Sequence, residues 1–471
     1  MLKRIGAEES GEFKAIASGT LPSGKPVVVN ADGTVSVVSG SDASIGSAAV
    51  FESASTGKTA STFDSSNNKI VICYRDVGNS SHGTAVVGTV SGSSISFGTP
   101  VVFNAAYTNE LSVIFDSNSN KVMVVYANSS QGTAKVGTVS GTSISFGSAT
   151  VFDAAQGVYL GATFDSNSNK VVVVYTGTNN YVESRVGTIS GTSISFGTAV
   201  VAKSSSTDGN AITFDSNRNK IVIVSRIGTN AQAMVGTVSG TSISFASSVG
   251  IGTQTKFLAL TFDSSNNKVI TAFVDGSDAD QGKVIVGDID GSGVISFGTA
   301  VEYNANIDEQ QGVAFDSNAN KVIVAYDSAG TSKGQVISGT VSGTSISFDS
   351  ETVFEAANVE GVSVAFDSNA NKNVISYIDG DNSRYGTSAV FAPASTTMTS
   401  ENYIGMSKGG AVADTKGATV DIIGAVNDEQ SGLTPGQQYF VQNDGTIGTT
   451  AATPSVLAGT AISATELLVK T

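Results

Sequence analysis

The chain has little of several residue types on which protein chemistry often depends. It contains one cysteine, Cys73, which excludes an internal disulfide framework and a cysteine-rich metal cluster. Because Cys73 lies in a run of apolar residues, we expect a packed, unreactive thiol. The single histidine, His82, has no nucleophile motif near it, so the sequence does not indicate a Ser-His-Asp hydrolase. Tryptophan is absent, so an aromatic contact to a sugar would fall to tyrosine.

Charge and long apolar runs are also scarce. Only 14% of the residues are charged and the net charge is −15, which disfavours nucleic acid as a partner. No run approaches the roughly 18 apolar residues of a membrane span, so we expect no membrane insertion. The first 13 residues, MLKRIGAEESGEF, contain no apolar core of a signal peptide. The 53 glycines and only six prolines are typical of an all-β chain with many tight turns.

An internal repeat organises most of the sequence. The segment FDSNSNKVVVVY at residues 164–175 has seven copies about 50 residues apart, and a period of this size indicates a repeat architecture. The copies begin at Phe63, Phe115, Phe164, Phe214, Phe262, Phe315 and Phe366. Its Asp-Ser-Asn-x-Asn part predicts a turn, because Asp and Asn bond their own backbone and tolerate left-handed conformations. The continuous apolar run that follows predicts a strand buried on both faces.

Each repeat predicts four strands, called A to D here. In the third copy we expect A around residues 161–164, B at 170–175, C around 184–189 and D at 193–201. The last copy lacks strand D, whereas DASIGSAAVF at residues 42–51 matches the D strand SISFGSATVF at residues 143–152. We therefore predict an all-β fold, a seven-bladed β-propeller of four-stranded blades. Residues 42–51 would pair with residues 385–392 and close the ring, which removes exposed sheet edges.

Two non-repeating flanks surround this propeller. We assign residues 1–38 to an N-terminal lead, 39–395 to the propeller and 396–471 to a C-terminal β module. The segment SGLTPGQQYFVQNDGTIGTT, from Ser431, is similar to SGTLPSGKPVVVNADGTVSVV, from Ser18. Because ring closure brings the two ends of the propeller together, we expect the flanks to lie close and to form one small β domain.

The repeat also separates two faces of the propeller. The A–B and C–D turns, DSNxNK and SGT, lie on one face and are nearly the same in every copy. The B–C and D–A loops lie on the other face and differ between copies, and variable loops on a rigid scaffold often carry recognition, although loops also vary without function. The residues that we predict to bind a host surface or glycan are Tyr107, Glu110, Tyr159, Tyr181, Glu183, Asp278, Asp280, Asp308, Glu309 and Tyr385.

Metal and catalytic sites are poorly supported. The Asp-x-Asn-x-Asn turns match the start of a calcium loop but lack its glycine and its terminal glutamate, so a side-chain-braced turn is the better account. Asp288 and Asp290 form a second, weak calcium candidate. The acidic loops could supply the carboxylate pair of a glycosidase, but no pair is singled out. We expect no cofactor, no metal and no catalysis.

The flanks resemble a known class of proteins. The segments ENYIGMS (401–407), ATVDIIGAVND (418–428), GLTPGQQYFVQNDGTI (432–447) and AGTAISATELLVKT (458–471) look like a C-terminal module of tailed-bacteriophage virion proteins, notably of marine phages. The lead, GTLPSGKPVVVNADGTVSVV at residues 19–38, is similar to the opening of such proteins. The resemblance covers about a quarter of the chain. It implies a structural or host-recognition component and supplies no catalytic residues.

From the resemblance and the variable face we expect a non-enzymatic virion protein, such as a tail fibre, spike or capsid appendage. It would be made in the host cytoplasm and located in the virion, with the lead as a candidate for anchoring. Its partners would be other virion proteins and a bacterial surface glycan or protein receptor, with a homotrimer left open. The alternatives are a polysaccharide-degrading propeller enzyme and a cell-surface adhesin, the second of which the lack of an export signal disfavours.

Overall fold

The computed structural model describes Gly6–Glu8 and residues 11–129, 131–252, 254–307, 311–399, 401–452 and 454–470. These residues form β-strands, turns and two short 3-10 helices, Val77–Asn79 and Thr178–Asn180, without an α-helix. Accordingly, the described part of the chain has no helix long and apolar enough to cross a membrane. The chain divides into two compact units, Ser44–Pro393 and a second formed by Met1–Ala43 with Ala394–Thr471.

The larger unit is a β-propeller, as predicted, and its described residues form seven antiparallel blades. Long strands such as Val101–Asp116 provide the D strand of one blade and the A strand of the next. The A strands lie in Ala49–Asp64, Val101–Asp116, Val158–Asp165, Val200–Asp215, Thr255–Asp263, Gly312–Asp316 and Val359–Asp367. The B strands are Lys69–Asp76, Lys121–Asn128, Lys170–Thr176, Lys220–Ile227, Lys268–Asp275, Lys321–Ser328 and Lys372–Asp379.

The outer half of each blade is equally regular. The C strands are His82–Ser91, Gln131–Ser140, Tyr181–Ser190, Asn230–Ser239, Gln281–Ile289, Lys333–Ser342 and Tyr385–Ala392. Each D strand has two parts, because the segment after the SISF motif breaks the pairing with strand C for a few residues. The first parts are Ser94–Phe97, Ser143–Phe146, Ser193–Phe196, Ser242–Phe245, Ile295–Phe297, Ser345–Phe348 and, for the seventh blade, Ser44–Ile45. In the second, fourth, fifth and sixth blades the second part is a separate strand: Thr150–Asp153, Val249–Gly252, Val301–Asn304 and Thr352–Glu355. In the other three blades it is the beginning of a long strand that continues as strand A of the next blade.

The order of the strands follows from their burial. The A strands of neighbouring blades contact one another all around the ring and therefore line the axis. The B strands lie between A and C and are buried on both faces, as Lys170–Thr176 illustrates with six consecutive buried residues. Cys73 is fully buried in the first B strand, where desolvation raises the pKa of its thiol. It is therefore a packed apolar group, as predicted.

The turns of the repetitive face are stabilised by hydrogen bonds within each turn. In each of the seven A–B turns one carboxylate oxygen of the leading aspartate accepts two backbone N–H bonds, as Asp165 does from Asn167 and Ser168 at 2.9 and 3.0 Å. The last asparagine of each turn, such as Asn169, adopts a left-handed conformation. Asparagine adopts this conformation at little cost, which explains why the motif recurs. These aspartates are all buried, and their oxygens bond the backbone, as the braced-turn interpretation requires.

Aromatic pairs join neighbouring blades. The D-strand ring of one blade packs on the B-strand tyrosine of the next, as Phe152 does on Tyr175 with ring centroids 5.2 Å apart. Equivalent pairs, with centroids 5.0–5.2 Å apart, are Phe51–Tyr74, Phe103–Tyr126, Tyr303–Tyr326 and Phe354–Tyr377. Each ring also covers a glycine on strand C of its own blade. A Cβ added to Gly132 would lie 2.4 Å from Phe152 Cε2, so only glycine fits beneath the ring.

This packing predicts a difference between two strand glycines. Gly132→Ala should lower the free energy of unfolding by about 1–3 kcal/mol, because the new methyl group overpacks the joint between two blades. Gly250→Ala is the matched control, since a Cβ there would meet nothing within 4 Å. Its effect should stay within about 0.5 kcal/mol. Urea denaturation of the full chain measures both, and equal stabilities would contradict the proposed role of Gly132.

The ring closes as the sequence predicts. Residues 44–55 complete the seventh blade against Tyr385–Ala392, with Ser44 opposite Ala392, Val50 opposite Thr387 and Ser55 opposite Tyr385. The A strands of the first and seventh blades also meet, and the Thr59 hydroxyl lies 3.1 Å from that of Ser363. Among the described residues, the propeller thus has no open sheet edge where its two ends join.

The smaller unit combines both flanks, to which the sequence analysis gave separate ranges. Its first sheet has the strand order Gly6–Glu8, Glu12–Ile16, Gly417–Asp421, Tyr403–Lys408, Pro26–Val29 and Val35–Val37. Its second sheet has the order Val426–Asn427, Leu467–Val469, Leu457–Ala461, Gln438–Val441 and Ile447–Gly448, and Gly40–Ser41 pairs with Ser395–Thr396. The two similar flank sequences form the same hairpin turn, in which Thr34 bonds Asp32 and Thr446 bonds Asp444.

Candidate functional site

A β-bulge interrupts the A strands near the variable face. In six of the seven blades, the described residues show a register shift at the same distance before the turn aspartate. The residue six positions before that aspartate is Lys58, Glu110, Tyr159, Gly209, Phe257, Gln310 or Gly361 in successive blades, and Gln310 lies outside the described residues. Because the A strands line the axis, these bulges form a ring at the mouth of the central channel.

Four of the bulge residues adopt a backbone conformation that is unfavourable for their type. Lys58, Glu110, Tyr159 and Phe257 have φ angles of 51°, 38°, 47° and 47°. Gly361 occupies the same position in the seventh blade with φ of 55°, at no steric cost. A non-glycine residue in this region typically costs about 1–3 kcal/mol and is often found where function requires it. The chain therefore places bulky side chains at the mouth where glycine would relieve the strain.

Polar side chains of neighbouring blades hold three of these bulges. The Asn210 side-chain amide donates to the Tyr159 carbonyl at 2.8 Å, and the Gln311 amide donates to the Phe257 carbonyl at 2.7 Å. The Thr59 hydroxyl likewise donates to the Gly361 carbonyl. Asn210 is itself held by the Ser225 hydroxyl, which donates to its oxygen at 2.6 Å. These bonds fix the two aromatic bulges from outside their own blade.

The bulge ring surrounds a cavity of about 610 Å³ to which all seven blades contribute. This volume lies within the range of about 300–1,000 Å³ found for small-molecule sites. Tyr159 and Phe257 line it and remain 42% and 39% exposed. The charged lining residues are Lys58, Glu110, Asp208, Arg226 and Lys256. The cavity thus combines two exposed aromatic rings with several hydrogen-bonding groups.

Each positively charged side chain that lines the mouth is paired with a carboxylate. Arg226 pairs with Asp208, and the Lys58 amine lies 4.0 Å from Glu110. The Lys256 amine lies 2.7 Å from the Asp280 carboxylate. The mouth is therefore close to neutral in charge and remains rich in donors and acceptors.

The structure brings two of the predicted site residues, Glu110 and Tyr159, into this cavity, and Asp280 pairs with a residue that lines it. The predicted tyrosines Tyr107, Tyr181 and Tyr385 are not among the lining residues. Tyr107 is half exposed and carries the guanidinium of Arg75 over its ring, 5.7 Å from the centroid. Tyr181 and Tyr385 are half-buried at the start of C strands in the third and seventh blades.

The remaining acidic candidates have local partners. Glu183 accepts a hydrogen bond from the Tyr175 hydroxyl at 3.2 Å, and burial raises the pKa of its carboxyl group. It therefore braces an aromatic joint between blades and does not line the cavity. Asp278 accepts from Lys283 at 3.0 Å on the surface of the fifth blade. Asp308 and Glu309 lie outside the described residues.

The weak calcium candidates are engaged in other contacts. Asp288 pairs with the Lys268 amine at 2.9 Å. Asp290 accepts hydrogen bonds from the Ser292 and Val294 backbone N–H groups at 2.8 and 2.9 Å, which brace a turn on the repetitive face. Within the described ranges no group of three or more His, Cys, Asp or Glu residues could hold a metal ion.

Sequence reasoning missed most of the mouth. Lys58, Asp208, Lys256 and Phe257 lie in the variable D–A segments, six or seven positions before a turn aspartate, and Arg226 follows a predicted B strand, yet none of them is among the predicted site residues. One sequence signal could have found the ring. The column six residues before the turn aspartate contains lysine, glutamate, tyrosine, glycine, phenylalanine and glutamine, whereas the column four residues before it contains only alanine, serine and glycine.

The fold and this site define a closed seven-bladed propeller with a polar, aromatic cavity at the variable end of its axis. No protein-family model and no curated protein matches the chain. Among solved structures it is similar to the Aleuria aurantia lectin, at 13% identity and a TM-score of 0.44, over 64% of this chain and 97% of that chain. It is also similar to the NanB sialidase from Streptococcus pneumoniae, at 10% identity and a TM-score of 0.44, over 73% and 69% of the two chains. The structure of the Dos1 propeller matches at 11% identity and a TM-score of 0.45, over 81% and 89%. These identities and scores are too low to inform the function of this chain.

Proposed function

We propose that this protein is a non-enzymatic binding protein that attaches to a cell-surface glycan through the variable face of its propeller. The observation that carries the proposal is the contrast between the two faces. On the repetitive face, polar groups such as the Asp165 carboxylate already accept hydrogen bonds from the backbone of their own turns. On the variable face, polar groups and two exposed aromatic residues converge on one open cavity.

We further propose that the protein acts as a host-binding component of a phage virion. The support is the resemblance of both flanks to tailed-phage virion proteins, together with a propeller well suited to presenting a binding face. In this arrangement the flanks contact other virion proteins and the propeller contacts the bacterial surface.

Binding of the fluorescently labelled full chain to a panel of bacterial strains tests the glycan proposal. Binding should be saturable and should fall after periodate oxidation of the surface sugars. Purified surface polysaccharide incubated with the protein should show no new reducing ends. Release of reducing ends would favour the polysaccharide-degrading alternative, and binding that survives periodate would indicate a protein receptor.

Labelled antibody against the protein tests the virion proposal. Electron microscopy of intact phage particles should place the label at tail or capsid appendages. Label on uninfected bacterial cells and none on particles would favour a cell-surface adhesin.

A further inference from the structure

The strained aromatic bulges at the propeller mouth suggest a specific ligand site. We propose that the mouth binds one neutral sugar ring, with Tyr159 and Phe257 as its stacking surfaces and Asn210 and Gln311 as the residues that position them. This inference rests on the proposed glycan-binding function and goes further, because it assigns the site to the axis of the propeller instead of the outer loops.

The backbone at the two aromatic residues is the first argument. Both residues have φ of 47°, a conformation that glycine adopts at the same place in the seventh blade. Retaining a large ring there is unfavourable for folding alone, and backbone strain of this kind concentrates at ligand sites. Both rings line the cavity and are about two-fifths exposed, so neither is explained by burial in the core.

The bonds that hold the bulges are the second argument. The Asn210 and Gln311 amides come from the next blade and bond the Tyr159 and Phe257 carbonyls. Gln311 is only 6% exposed and its oxygen accepts from the Tyr303 hydroxyl, so its amide is fixed. At the position of Asn210 the second, third and fifth blades have Leu111, Leu160 and Leu258 instead. The fold itself therefore does not require an amide there. Fixing the rings before a ligand arrives reduces the entropy lost on binding.

The chemical class of the ligand follows from the lining. A sugar ring offers apolar C–H faces for the two aromatic rings and hydroxyl groups for the charged side chains of the same lining. Lys58, Arg226 and Lys256 are each matched to a carboxylate, and an acidic sugar would have to displace one of those partners. The geometry therefore favours a neutral sugar over a carboxylated or sulfated one.

The first test uses the full chain on an array of neutral hexose oligosaccharides, uronic-acid oligosaccharides and sulfated oligosaccharides. Neutral oligosaccharides should bind, and the strongest of them is then titrated calorimetrically against variants. Phe257→Gly and Tyr159→Gly should each weaken binding about tenfold or more, as loss of a central aromatic contact does. Val294→Gly is the matched control, because Val294 is a 51% exposed apolar residue in the same blade as Phe257 but on the repetitive face. Its affinity should remain within about twofold of the parent protein, as for a residue outside the interface.

The positioning role of Asn210 needs a separate pair of variants. Asn210→Leu introduces the residue that three other blades have at this position, so the propeller should fold with parental circular dichroism and cooperative unfolding. Its affinity for the same oligosaccharide should fall about fivefold, because the Tyr159 carbonyl loses its donor and the ring is no longer held. Asn210→Gln keeps an amide, as Gln311 does in the sixth blade, and should restore affinity to within about twofold. Equal affinities for the two variants would overturn the positioning role.

The outcomes separate this inference from the proposed function. If neutral glycans bind and Tyr181→Ala or Tyr385→Ala abolishes binding while Phe257→Gly and Tyr159→Gly do not, the variable face binds glycan but the mouth does not. Preference for uronic-acid or sulfated oligosaccharides would overturn the neutral class. If no glycan of any class binds, both the inference and the proposed function fail.

Discussion

Replacing Phe51 with aspartate is expected to lower the free energy of unfolding by about 4 kcal/mol or more, since it removes a buried ring and buries a charge. Phe51 belongs to the segment that completes the seventh blade, and it is 6% exposed. Its ring packs on Tyr74 of the first blade, with centroids 5.1 Å apart, and on Phe97 at 5.7 Å. It also covers Gly386 on the strand with which its own segment pairs. The substitution therefore disrupts the packing of the closing segment against both the first and the seventh blade.

The neighbouring residue provides the matched control. Val50 lies on the same strand and is 46% exposed, so Val50→Asp introduces the same charge in the same segment without burying it. Its effect should remain within about 0.5 kcal/mol, as for most surface substitutions. Chemical denaturation and thermal unfolding of both variants make the comparison. Similar losses for the two would show that the segment is sensitive to charge in general and that the closure is not specific.

Deleting residues 1–52 removes the same closure together with its backbone pairing, and it also removes four strands from the first sheet of the smaller unit. The strand Tyr385–Ala392 would then be an exposed edge, and exposed edges pair with other chains. We expect a lower melting temperature and concentration-dependent aggregation in light scattering. A truncated protein that remains monomeric with the parental melting temperature would contradict closure by the N-terminal strand.

Two substitutions on one strand should have opposite consequences. Tyr159 and Asp165 lie at opposite ends of Val158–Asp165, one at the mouth and the other in the repetitive turn. Tyr159→Gly should weaken glycan and cell binding about tenfold or more, because central aromatic residues dominate many interfaces. Its free energy of unfolding should change by less than about 1 kcal/mol, since relief of the left-handed backbone offsets lost contacts.

Asp165→Ala should show the reverse pattern. The Asp165 carboxylate is 2% exposed and accepts bonds from the backbone of Asn167 and Ser168 and from the Ser168 hydroxyl at 2.7 Å. Losing these bonds should lower the free energy of unfolding by about 1–2 kcal/mol, as loss of a capping side chain does. Binding should be unchanged at temperatures where the variant is folded. Parallel unfolding and cell-binding measurements decide the matter, and an exchange of the two patterns would mean that the repetitive face is the binding face.

Much of the propeller was predictable because its signals are local. The Asp-Ser-Asn-x-Asn turn requires only bonds within a few residues and an asparagine such as Asn169 in the left-handed region. The buried B strand is evident from a continuous apolar run. Even the closure was predictable, since residues 42–51 repeat a D strand that the last copy lacks. These features depend on sequence periodicity and not on how the blades finally meet.

The binding site was only partly predictable because it depends on the closed ring. A bulge shifts the register by one or two residues, and nothing in the composition of strand A marks it before the blades are aligned. Lys58 and Glu110 lie 52 positions apart in the chain and meet only across two blades. Glu183, chosen for its place near a variable loop, bonds the buried Tyr175 hydroxyl because the packing of its own blade brings the two together.

The sequence by itself determined the number of blades, their turns, the two unequal faces and the strand that closes the ring, because each rests on short-range chemistry repeated seven times. Tertiary structure alone decided which variable residues act together. Closure places the bulges described in six of the blades around a common axis, so residues far apart in the chain, such as Tyr159 and Phe257, line one cavity. It also placed the Asn210 and Gln311 amides where they bond the bulges of neighbouring blades, an arrangement that no single repeat contains.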